Sequence, residues 1–128
     1  MTRESWTGDP GRLDARFVAG LVTTRLFLNV LGINRDKTGP ALSCHIPHPD
    51  DVTADDLGGL LIDPATLPAR ERQLFLDFLK MADKAAAHFT VPITHDWTKT
   101  HDVVLRVHHH LKVCLYDYTG RTLRDATP

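Results

Sequence analysis

VVLRVHHHLKVCL, residues 103–115, is the stretch on which the fold class turns, because it fits two periodicities at once. Its odd positions read Val, Leu, Val, His, Leu, Val, Leu, while the even ones include Arg106, His108, His110 and Lys112, the alternation of a half-buried strand. A helical reading keeps Val104, Val107, Leu111, Leu115 and Tyr118 on one stripe but leaves Val103, Leu105 and Val113 off it. The alternation accommodates more apolar side chains, so the spacing predicts a strand. Tyr116-Asp117-Tyr118-Thr119-Gly120-Arg121 then offers a glycine-bearing turn, with Thr122-Leu123 as the returning arm of a hairpin. An unbroken strand over 103–115 would extend ~43 Å, against ~36 Å for a globule of this length, so a break is expected near His108 to His110.

Upstream the period changes. Asp9-Pro10 is a helix start, with Asp9 as N-cap and Pro10 tolerated in the first turn. Leu13, Phe17, Leu21, Leu28 and Leu31 recur at helical spacing, and Gly32 closes the run. A second set, Val18, Val22, Leu26 and Val30, widens the apolar face beyond a single stripe. Pro68 opens another helix, whose inner face is Leu74, Phe75, Phe78, Met81, Ala82, Ala85 and Phe89, stopping at Thr90-Val91-Pro92. Between the two, residues 34–52 are rich in Gly, Pro, Asp and Asn and read as a long connection, with at most a short strand at 41–46. Thr53 and Asp56 have capping-box spacing at the head of a short helix, which Gly58-Gly59 weakens and Asp63-Pro64 ends.

The expected architecture is therefore α+β: two main helices, about 12–31 and 68–89, followed by a small antiparallel sheet or hairpin in the C-terminal third. Residues 1–128 form a single domain, the default for a chain of this length. One hairpin is not a stable sheet in water. Further strands must come from 41–46, from 91–94 or from a second copy, and an apolar edge strand invites a homodimer.

Composition narrows the partners. The hydrophobic fraction is 42% and the charged fraction 24%, so the chain can build a core. A net charge of −1, without a run of Lys and Arg, provides no footprint for nucleic acid or an anionic membrane, so neither is an expected partner. The opening MTRESWTGDPGR lacks the apolar core of a secretory signal, and Cys44 and Cys114 read as free thiols of a cytoplasmic protein. The apolar run over 17–33 is interrupted by Arg25 and Asn29 and falls short of the ~20 residues of a membrane span.

Histidine carries the chemistry, because its unperturbed pKa lies near neutrality and its neutral ring binds metals. Residues 94–114, THDWTKTHDVVLRVHHHLKVC, hold His95, His101, His108, His109 and His110, out of eight histidines in the chain. On a strand, His108 and His110 point to one face and chelate a single cation. The proline-stiffened Ser43-Cys44-His45-Ile46-Pro47-His48-Pro49-Asp50-Asp51 supplies His45 and His48 as further ligands, completing a site for Zn, Fe, Ni or Cu with one position open. The repeated Thr-His-Asp gives His95, Asp96, His101 and Asp102 as acid–base pairs, each carboxylate orienting an imidazole. Each group also has a plainer reading: an alternating histidine triplet is a solvated face, the cysteines are small buried hydrophobes, and the Asp residues cap turns.

Two functions follow from these residues. One is a small enzyme acting on a small-molecule substrate through a His/Asp-rich site, with or without a divalent transition metal. The other is a non-catalytic interaction or regulatory module that dimerises through its C-terminal strands. They differ in geometry. An enzyme gathers its histidines around one concavity, whereas an interaction module spreads them over a flat face beside an apolar patch.

Overall fold

The computed structural model describes residues 10–39, 41–87 and 97–120. Helix α1 (Pro10–Val30) leads into a hairpin of β1 (Ile33–Arg35) and β2 (Leu42–Cys44). Two 3-10 turns, Asp55–Leu57 and Pro64–Thr66, precede α2 (Ala69–Ala87), and α3 (Trp97–Leu111) continues as a π-helical segment, Lys112–Asp117. Each of the three helices packs against the other two.

α1 and α2 occupy the two stretches expected to be helical. Leu21, Leu28 and Leu31 are fully buried, as are Phe75, Leu79 and Ala82 from α2 and Ile33 from β1. Gly32 closes α1 with φ of +92°, a left-handed conformation that glycine adopts without steric cost. Its N–H donates to the Asn29 carbonyl at 3.0 Å.

The C-terminal third corrects the expected fold. Residues 103–115 are helical, and the antiparallel pair lies at 33–44, where a loop with one short strand was expected. Ile33 faces Cys44, Asn34 faces Ser43 and Arg35 faces Leu42. Asp36 turns this hairpin by accepting from the Thr38 N–H at 2.9 Å and the Thr38 hydroxyl at 2.8 Å, which hold its carboxyl below the usual range. The physical reason for the helix is that the core accepts only part of the apolar set. Val103 (1% exposed), Val107 (2%) and Cys114 are buried with Leu111 beside them, spaced for one helical face, while Leu105 (55%) and Val113 (41%) stay outside. Asp102 and Arg106 add an i,i+4 pair at 2.9 Å that a strand would have separated.

A buried carboxylate fixes α2 against α3. Glu71, in the first turn of α2, is buried; its carboxylate meets His110 Nε2 and lies 3.6 Å from Arg106 Nη1. A second carboxylate, Asp83, joins α2 to α1 and β1: Arg35 Nε donates to Oδ2 at 2.6 Å, and Arg25 Nε sits 2.6 Å from Oδ1.

The segment 51–62 threads between the end of α1 and the end of α3. Ala54 N–H donates to Val30 O and Ile62 N–H to Leu31 O, both at 2.8 Å, and Leu60 N–H donates to Cys114 O at 3.0 Å. The last bond accounts for the π-helical turn. Tyr118 N–H reaches back to Leu115 O and Val113 O, which leaves the Cys114 carbonyl to the loop. The Thr53–Asp56 spacing does act locally, since the Asp56 carboxylate accepts from Thr53 N–H at 2.9 Å.

Candidate functional site

α3 is amphipathic, and its two faces divide the histidines. His101, His108 and His109 are exposed on the outer face, together with Val104, Leu105, Lys112 and Val113. His110 turns inward, bonded to Glu71 and packed edge-on against the Phe75 ring with centroids 6.0 Å apart. The expected chelate of His108 with His110 depended on a strand, where i and i+2 share a face. On a helix those positions diverge by about 200°, and His110 Nε2 is already engaged by a carboxylate.

The loop ligands lie elsewhere, and each is tied locally. His45 Nδ1 is 3.3 Å from Asn34 Nδ2 and its Nε2 is 3.6 Å from Asp51 Oδ2, so both ring nitrogens face protein partners. With the amide as donor to Nδ1, Nε2 carries the proton towards Asp51. His48 is exposed, and its backbone N–H donates to the same Asp51 carboxylate at 2.9 Å. Among the described residues no three His, Cys, Asp or Glu side chains come together as a metal-binding group.

Of the two acid–base pairs, His95 and Asp96 lie outside the described residues. His101 and Asp102 are neighbours on α3, but the Asp102 carboxylate is held by Arg106 and His101 points to solvent. Cys114 is buried and burial pushes its thiol pKa up, which keeps it protonated; Cys44 is an exposed free thiol.

A pocket of about 380 Å³ opens between β2 and the start of α2, lined by Leu42, Pro64, Ala69, Arg72, Gln73 and Leu76 among others. None of its lining residues is a histidine or a carboxylate. No family model, curated protein or solved structure matches the chain. No helix among the described residues is long and apolar enough to cross a membrane.

Two residues that sequence reasoning passed over prove structural. Glu71 and Arg106 frame His110, and one signal was available: Glu71 is one of only two glutamates, the other being Glu4, in a chain whose acids are otherwise Asp. A lone Glu in the first turn of a helix is placed to reach a neighbouring element.

Proposed function

We propose that this chain is a non-catalytic protein-interaction module that presents the outer face of α3 to a partner protein. One observation carries the reading: His101, His108 and His109 share an exposed helix face with Val104, Leu105 and Val113. Apolar side chains interleaved with polar ones across a helix surface are the pattern of a docking face rather than of an acid–base site. The partner is an acidic amphipathic segment. Its apolar residues would cover Leu105 and Val113, and its carboxylates would meet Lys112 and the imidazoles. The homodimer expected through C-terminal strands loses that route, because the described C-terminal residues are helical.

Site-specific photo-cross-linking tests the proposal. A photoreactive amino acid at Leu105, in the cells that make the protein, is expected to capture one defined partner. The same amino acid at exposed Lys80 on α2 is expected to capture none. No adduct at 105, or the same adducts from both positions, would overturn the reading.

A further inference from the structure

Among the described residues, α1 carries a second uncovered face. Arg16, Ala19, Gly20, Thr23, Leu26 and Phe27 are all exposed, and Val30 is half-buried, at the 3–4 residue spacing of one helical stripe. Beyond Arg16 this solvent-facing stripe holds no charged residue. Leu26 is 53% exposed and Phe27 43%. Even the Thr23 hydroxyl is turned back, donating to the Ala19 carbonyl at 2.8 Å, so it leaves its methyl to the surface. A surface helix normally carries charged residues on such a face.

The order of residues along the stripe indicates what covers it. The N-terminal half is small, Ala19 and Gly20, and a side chain added at Gly20 would meet nothing within 4 Å. The C-terminal half is large, Leu26 and Phe27. The stripe is symmetric about Thr23: if a second α1 is laid antiparallel across it, Phe27 falls opposite Ala19, Leu26 opposite Gly20 and Val30 opposite Arg16. Large side chains of each copy then fill the shallow half of the other, the self-complementarity that a two-fold contact requires. Size selects the same direction: a parallel pair would set Leu26 and Phe27 against their own copies and leave the small half at Ala19 and Gly20 unfilled. The contact from residue 16 to 30 is only ~21 Å long and one helix, ~10 Å, wide, roughly 210 Å² per partner against the ~800 Å² typical of tight complexes. Weak association, in the hundreds of micromolar, is the regime it fits.

We infer that the occupant of the α1 face is a second copy of this chain, paired antiparallel about a two-fold axis at Thr23. This deepens the interaction reading and rests on it: the chain presents its α3 faces to partners as a homodimer.

Sedimentation equilibrium of the full chain at micromolar to several hundred micromolar concentrations tests the pairing. Leu26→Lys and Gly20→Glu alter solvent-facing positions, so circular dichroism of each is expected to match the parent. The wild type is expected to dimerise, and each variant alone to lose at least tenfold in dimer affinity. An equimolar mixture is expected to regain it, because Glu at 20 meets Lys at 26 across one half of the axis and the other half is native. A wild-type dimer that both variants leave intact would overturn the α1 surface while the interaction reading stands. A wild-type monomer throughout would overturn self-pairing, including the case in which a different protein covers α1; cross-linking at Leu105 then judges the interaction reading separately.

Discussion

Replacing Phe75 with alanine is expected to lower the unfolding free energy by about 3–5 kcal/mol, the range for emptying a buried aromatic site. Phe75 is fully buried at the centre of the cluster formed by α1, α2, β1 and α3, and its ring also supports the His110 imidazole that Glu71 holds. The cavity would therefore weaken both the core and the seat of the His110 imidazole. On the usual scaling the melting temperature should fall by roughly 10–20 °C. The control is Leu105→Ala, on the outer face of the same bundle, which should change stability by no more than about 0.5 kcal/mol. Urea unfolding of the two variants checks the pair, with the denaturant slope unchanged in both. Equal losses would place residues 103–115 with Leu105 inside, as an alternating strand requires.

Gly59→Ala is the second large effect, with an expected cost of about 1–3 kcal/mol from overpacking. A Cβ at this position would lie 2.5 Å from the Cys114 carbonyl oxygen, 2.8 Å from Leu115 and 3.1 Å from the Ala54 carbonyl. Two of those three are backbone atoms, which cannot rotate away. The loop must lift, and with it goes the Leu60 N–H bond to Cys114. Hydrogen exchange is expected to show the Leu60 amide losing protection, with the 112–118 segment changing as its π-helical turn loses the bond that accompanies it. An unchanged Leu60 amide and an unchanged melting temperature would mean that loop and helix do not meet at Gly59.

These two positions also show where the fold was legible in the sequence. α1 and α2 repeat apolar residues over several turns and are bounded by Pro10, Gly32 and Pro68, so local chemistry and burial agree there. The hairpin was half visible. Leu42–Cys44 lies within the short strand foreseen at 41–46, whereas Ile33–Arg35 sits in a stretch read as coming out of a helix cap into a loop. Three residues carry too little periodicity to announce a strand. Residues 103–115 misled for a different reason. Val103, Val104 and Leu105 are consecutive, so neither period places all three inside, and counting apolar positions favoured the alternation. The core takes Val103 and Val107 and leaves Val104 and Leu105 outside, a choice set by the neighbouring surfaces of α1 and α2 rather than by the segment. The candidate site followed that choice. Grouping His108 with His110 was a consequence of strand period, and the inward turn of His110 depends on Glu71, 39 residues away in sequence.

We propose that the described histidines form part of a docking face and local anchors rather than a metal or acid–base centre. The most direct test is elemental analysis of tag-free protein, purified without added metal or chelator, alongside its melting temperature with and without a strong chelator. Transition metal is expected far below one equivalent per chain, with a melting temperature that ignores the chelator. One equivalent of Zn, Fe, Ni or Cu, removed by the chelator with a fall in stability and lost on replacing His45, His48, His108 and His110, would contradict it.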